Sequence, residues 1–236
     1  MKLSVVVPAF NEERLLANTL GHLRAGMDVF ERRGWSCELI VCDNNSTDRT
    51  AEIARAAGAT VVFEPLNQIS RARNAGAASA SGEWLLFVDA DSRPSPALFE
   101  DAAAAIETGR CLGGGATIAL PGAPAAVRAW VAAWNALSRC TAWAAGSFLF
   151  CEADVFRAVG GFSEELYAAE EIDLSRRLKR LGRVVILHRH PLITSGRKAH
   201  LYSWREHAAF LLAMLMSGGR SLRRREDCSI WYDGRR

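Results

Sequence analysis

Asp89 and Asp91 stand one residue apart at the end of 84-WLLFVDAD-91. The five apolar residues before them read as a buried strand. Two carboxylates set against such a strand lose hydration and repel each other unless a cation sits between them. A hard divalent ion satisfies such a pair and can hold substrate phosphates at the same time. On spacing alone, the pair reads equally well as a strand end, with Asp91 opening the turn into 92-SRPSP-96. A second acid, Asp43, closes 37-CELIVCD-43. It could accept hydrogen bonds from a base or a ribose, or form a turn and helix cap with Asn44, Asn45 and Ser46. A third group, Glu170, Glu171 and Asp173, precedes Arg176, Arg177, Lys179 and Arg180. One of these acids could take a proton from an attacking hydroxyl. Alternatively, all three could be first-turn acids that complement a helix dipole and pair with the bases one turn on.

The elements that must position these residues alternate between two periods. Residues 3–7 (LSVVV) form a β-branched run that Pro8 is expected to end, and Leu16, Leu20 and Leu23 then recur at helical spacing. Strand signals at 37–43, 59–64 and 84–89 alternate with helical signals at 51–58 and 68–82. Such alternation predicts β-α-β units and a mostly parallel, Rossmann-like sheet flanked by helices. Ligands of such sheets bind beyond the carboxyl ends of the strands. There PAFNEE, DNNSTD and DADS can meet on one edge. The second half is less regular: a 113-GGG-115 stretch, an Ala/Trp-rich 123–145, a Gly160-Gly161-Phe162 turn, an amphipathic 162–182, a strand at 183–188 and a basic tail with 223-RRR-225.

Composition excludes several classes. The net charge of +3 over 236 residues is too small to argue for nucleic-acid binding. The six cysteines show no C-x-x-C pair and no zinc spacing, so neither a disulfide framework nor a zinc site is expected. No stretch reaches the roughly 20 apolar residues of a membrane span. The opening apolar run is short and leads into charge, which points to the cytoplasm, with peripheral attachment at the inner membrane face as an option. P-loop and G-x-G-x-x-G patterns are absent.

VVVPAFNEE, DNNSTD, 71-RARNAG-76, SGEWLLFVDAD and AAGSFLFCEADVFRAVGGFSEELYAAEEIDLSRRLKRLG follow one another in order. Together they resemble the successive motifs of family 2 glycosyltransferases over residues 3–185. The resemblance implies a single α/β domain of GT-A type. Residues 1–92 would form its nucleotide-binding half, 93–205 its acceptor-side half, and 206–236 a C-terminal helix and basic tail. It implies inverting sugar transfer from a UDP- or GDP-sugar to an acceptor hydroxyl, helped by Mg2+ or Mn2+. A retaining transferase and a non-catalytic nucleotide-sugar binder are the alternatives.

Carried over residue by residue, the resemblance places Pro8, Ala9, Phe10 and Glu12 at the nucleotide pocket, Asp43 at the base and Arg73 near the nucleotide. Asp89, Ala90 and Asp91 fall at the ribose and the metal-bound diphosphate, with Asp89 and Asp91 as metal ligands and His190 as a further candidate. Family members usually carry Glu-Asp where this chain has Glu170-Glu171, so Glu171 takes the position of the catalytic base and Glu170 competes for it. A loop over 188–200 would close on the diphosphate through Arg197 and Lys198. The apolar 206–216 and the arginines after it read as a packed helix or dimer contact with a solvated tail. The alternative is a membrane-surface anchor reaching a lipid-linked acceptor.

Overall fold

The computed structural model describes residues 1–194, 217 and 219–228. One eight-stranded sheet, in the order β3-β2-β1-β4-β7-β6-β8-β5, runs through the chain. Strands β1 (Lys2–Ala9), β2 (Ser36–Asp43), β3 (Thr60–Phe63) and β4 (Trp84–Val88) are mutually parallel and linked by helices α1 (Leu16–Glu31), α2 (Thr50–Ala56) and α3 (Ile69–Ala78). This is the β-α-β half expected from the alternating pattern. Pro8 does not end β1. The β1–β4 ladder stops at Val6 opposite Phe87 while β1–β2 continues to Ala9 opposite Asp43. Pro8 therefore sits where one side of the strand has no ladder left to break.

The second half completes the sheet with mixed strands. After β5 (Ser92–Arg93) and α4 (Pro96–Glu107), the glycine-rich stretch becomes β6 (Gly113–Ala119), followed by α5 (Ala125–Thr141), β7 (Phe148–Glu152), α6 (Ala153–Ala158), α7 (Glu170–Leu181) and β8 (Val184–Thr194). Strand β7 runs antiparallel to both β4 and β6, and so joins the two halves edge to edge. Strand β8 is longer than the expected 183–188, and it carries His188 and His190 on a strand instead of a loop. The amphipathic 162–182 is helical only from Glu170 onward. Helix α5 is buried at Val131 and Ser138 alone and leaves Trp130 exposed.

Side-chain alternation divides the core between the two faces of the sheet. Val5, Val7, Leu86 and Val88 meet Leu16, Leu20 and Leu23 of α1 and Leu98 and Phe99 of α4. Val6, Leu85 and Phe87 meet Ala77 of α3, Phe156 of α6, and Leu174 and Leu178 of α7. The period-2 strand and 3.6-period helix patterns produce this three-layer arrangement directly. At the amino-terminal edge, Glu38 of β2 accepts hydrogen bonds from Ser4, Ser81 and Lys2. Burial alone would raise its pKa, but those hydrogen bonds outweigh it and hold the carboxyl at about 2. All six cysteines are free. Among the described residues no helix is long and apolar enough to cross a membrane. Residues 206–216, which carry most of the expected C-terminal helix, lie outside the described residues.

Candidate active site

Adjacent parallel strands β2, β1 and β4 end on one edge, bringing Asp43, the loop after Ala9, and Asp89 together there. Asn11 takes a left-handed φ of 52°, which asparagine tolerates better than most residues. Its backbone N–H donates to Ser46 Oγ (2.9 Å), and its Oδ1 accepts from the Thr47 backbone (2.8 Å). The backbone N–H of buried Glu12 donates to Thr50 Oγ1 (2.8 Å). The PAFNEE and DNNSTD loops are thus fastened to each other. Asp43 accepts from the Ser46 backbone (3.0 Å), as its turn-forming alternative required. Asn44, buried, donates to the carbonyls of Glu64 and Leu66 and accepts from Gln68 N–H. Pro8 and Ala9 are buried at the end of β1, and Phe10 is partly exposed beyond it.

The centre of the site is Arg73. Gly76 lets α3 lie against β1, since a Cβ there would come within 2.4 Å of Val6 Cγ1. That close seat carries Arg73, 2% exposed, into the interior. Its Nη2 donates to Asp89 Oδ1 (2.9 Å) and to the Gly146 carbonyl (3.0 Å), and its Nη1 to Glu170 Oε1 (2.7 Å). The guanidinium also stands 5.1 Å from the centre of the Phe162 ring. A Cβ at Gly146 would lie 2.7 Å from Arg73 Nη2, so any larger residue there would displace the guanidinium. The Nε of Arg73 is buried with no hydrogen-bond partner among the described residues. Burial works against its charge, but Asp89, Glu170 and Glu171 together raise the Arg73 pKa above its ordinary value.

Helix α7 supplies the second set of acids. Asp173 pairs with Arg177 (2.7 Å) four residues on, as helical spacing predicts, whereas Glu170 turns inward to Arg73. Glu171 keeps some surface, yet burial of its carboxyl and the neighbouring charge of Glu170 push its pKa up to about 8 against the opposing pull of Arg73. A carboxyl tuned toward neutrality suits proton abstraction.

Asp89 has 29% of its side chain exposed, and Asp91 is partly exposed. The turn they share is held by Thr19 Oγ1 donating to the carbonyl of Ala90 (2.7 Å). Among the described residues no group of three His, Cys, Asp or Glu side chains is placed to hold a metal ion. His190 is not gathered with Asp89 and Asp91: its Nδ1 lies 3.0 Å from Asp101 Oδ2 on α4. Arg197 and Lys198 lie outside the described residues.

The motif reading missed several residues that position the acids. Asn74 donates to the Phe162 carbonyl and accepts from the Phe162 N–H, both at 2.9 Å. Gln68 Nε2 donates to the carbonyls of Glu164 (2.7 Å) and Leu166 (3.0 Å). Ser175 Oγ accepts from Ala144 N–H and donates to the Glu171 carbonyl. Helix α3 therefore holds the loop from which α7 starts. An asparagine inside a helical run is a poor helix former, and that was the available sign of a tertiary role for Asn74.

A parallel β-α-β half, joined through an antiparallel strand to a second half whose acids face the same sheet edge, is the GT-A arrangement. The chain belongs to glycosyl transferase family 2, whose model matches residues 4–127. An uncharacterized glycosyltransferase of Mycobacterium tuberculosis is 38% identical over 88 residues, 37% of this chain and 36% of the relative. Validoxylamine A glucosyltransferase of Streptomyces hygroscopicus subsp. jinggangensis is 32% identical over 109 residues, 44% of this chain and 25% of the relative. The matched segment thus spans about a third or less of these curated relatives. Among solved structures, Staphylococcus aureus TarS 1-349 with UDP-GlcNAc superimposes with a TM-score of 0.67 at 20% identity, over 99% of this chain and 71% of that one. The mannosyltransferase PcManGT from Pyrobaculum calidifontis, with GDP-Man and Mn2+, gives 0.67 at 19%, over 92% and 63%. At these identities the likeness establishes the fold.

Proposed function

We propose that the chain transfers a sugar from a UDP- or GDP-sugar to an acceptor hydroxyl with inversion at the anomeric carbon, assisted by Mg2+ or Mn2+. The observation that carries this reading is the Arg73 bridge, which joins Asp89 on the nucleotide side to Glu170, the neighbour of Glu171, on the acceptor side. Nucleotide-sugar complexes of TarS and PcManGT, the latter with Mn2+, support the donor class and the ion.

In this reading the end of β1, from Pro8 through Phe10 and Glu12, and Asp43 at the end of β2 form the nucleotide wall. Asp43 keeps its backbone hydrogen bond to Ser46, which leaves its other oxygen for a donor group on the base. Asp89 and Asp91 fit a divalent cation in chemistry: two hard oxygen donors with access to solvent, whose remaining partners would be diphosphate oxygens and water. When bound, that cation supplies positive charge to the leaving diphosphate. His190, engaged with Asp101, is left out of the ligand set.

Glu171 takes the proton of the acceptor hydroxyl as it attacks the face opposite the leaving group, a contribution typically on the order of 100- to 10,000-fold. Glu170, committed to Arg73, holds that guanidinium in place and keeps the charge near Glu171 balanced.

Calorimetric titration of a UDP- and GDP-sugar panel, with Mn2+ and then with chelator, tests the reading. One donor should bind in a metal-dependent manner. Asp91→Asn should lose the metal-dependent part. Glu171→Gln should bind the donor normally and lose transfer by at least about 100-fold. Normal turnover by Glu171→Gln would remove it as the base.

A further inference from the structure

The described C-terminal stretch, 219–228, is anchored on the loop that leads into α7. The Tyr167 N–H donates to the Leu222 carbonyl (2.7 Å), and Arg223 pairs with Glu165 (2.9 Å). Cys228 is fully buried, and its thiol is pushed up to about 11 by burial and then by the charges of Asp227, Glu170 and Glu226.

Beside these anchors, Ser217, Arg220, Ser221, Arg224 and Asp227 line a cavity of about 280 Å3. Of the three arginines at 220, 223 and 224, Arg223 is taken by Glu165. Neither Arg220 nor Arg224 forms an ion pair with any described residue. The two serines are tied together, Ser217 Oγ accepting from Ser221 N–H (3.1 Å) and donating to Ser221 Oγ (3.0 Å).

Two guanidinium groups and the Ser221 hydroxyl lining one cavity match the oxygens of a phosphate ester, which arginine grips bidentately. Asp227 on the same wall would repel a bare phosphate. It is suited instead to accept a hydrogen bond from a hydroxyl carried by the same ligand. We infer that this cavity binds a phosphate ester bearing free hydroxyls.

Binding in the cavity does not depend on the transfer reading above. Two sources share this chemistry, a soluble polyol phosphate and the headgroup of a glycerol phospholipid. The two can be separated with full-length protein. In one arm, calorimetry compares glycerol 3-phosphate, glycerol and inorganic phosphate. In the other, co-sedimentation compares phosphatidylglycerol with phosphatidylcholine vesicles.

One arm should show binding that weakens at least tenfold in R220Q/R224Q while nucleotide-sugar binding, measured in parallel, stays unchanged. The first arm would identify a soluble ligand and the second a lipid headgroup. For a soluble ligand, glycerol 3-phosphate should bind more tightly than inorganic phosphate, and Asp227→Asn should narrow that gap. Absence of binding in both arms, equal binding by R220Q/R224Q, or a preference for bare phosphate would overturn the inference. Loss of nucleotide-sugar binding in the wild-type protein would instead count against the transfer reading.

Discussion

Glu171 and Asp173 lie two positions apart in the first turn of α7, yet their environments separate them. Asp173, more than a third exposed, pairs with Arg177 across one turn, an interaction worth a few tenths of a kcal/mol. Glu171 lies among Glu170, Arg73 and Asp89, and its pKa rises to about 8, through burial first and Glu170 second. An unfolded glutamate titrates near about 4.3, so the folded chain binds the extra proton over the interval between the two values. This contribution is full below the unfolded value and is lost as pH rises toward about 8. Glu171→Gln removes the titration, so its melting temperature should gain on the wild type between pH 5 and pH 9, as thermal scans across that range would show. The same group should set the acid limb of wild-type kcat/KM, placing it well above the ordinary carboxylate range. A limb near pH 4 to 5 would contradict that assignment.

Helix α3 acts as a unit whose two faces serve different neighbours. Gly76 and Ala77 seat it on the sheet, Arg73 reaches the acids, and Asn74 clamps the Phe162 backbone on the way to α7. Asn74→Ala would release its two hydrogen bonds to the Phe162 backbone and a longer one to Glu164 Oε1 (3.2 Å), and free the Gly160–Phe162 turn, at about 1–3 kcal/mol of stability. The proposed nucleotide wall is built from other elements, so donor affinity should hold while kcat falls. Thermal unfolding combined with donor titration and steady-state rates would check both parts.

The parallel strands and the placement of Asp43, Asp89 and Asp91 at their ends were legible because apolar runs and helical spacing act locally. The buried role of Arg73 was not, because it depends on Gly76 letting α3 approach β1, a contact with no sequence signature. Nor did the sequence show that residues 163–169 stay non-helical. Their acidic and apolar spacing matches a helix, but the backbone carbonyls of Glu164 and Leu166 are drawn off by Gln68, and Ala169 adopts a left-handed φ of 61°. The expected loop at His188 and His190 is strand because β8 continues alongside β6 past the register shift near Ala116 and pairs with β5.

Across the whole molecule, among the described residues, the parallel half and the mixed-strand half share few polar links as buried as the Arg73 bridge. Strand β7 couples the halves through its ladders to β4 and β6, and Arg73 couples them through charge, reaching Asp89 16 residues away in sequence and Glu170 97 residues away. A buried cation held by two acids adds little net stability over an apolar replacement of all partners, but removing one partner leaves uncompensated charge. Arg73→Met should therefore cost about 3–5 kcal/mol, most of it from Glu170, which is 3% exposed where Asp89 still reaches solvent. Neutralising that acid as well, in Arg73→Met/Glu170→Gln, should recover part of the loss. The two substitutions then form a double-mutant cycle with a coupling energy of at least about 1 kcal/mol. Denaturant unfolding of the four proteins measures it directly. If the penalties simply add, Arg73 and Glu170 are not energetically joined, and the two halves are held together by the sheet, by side-chain packing and by the Asn74 and Gln68 hydrogen bonds.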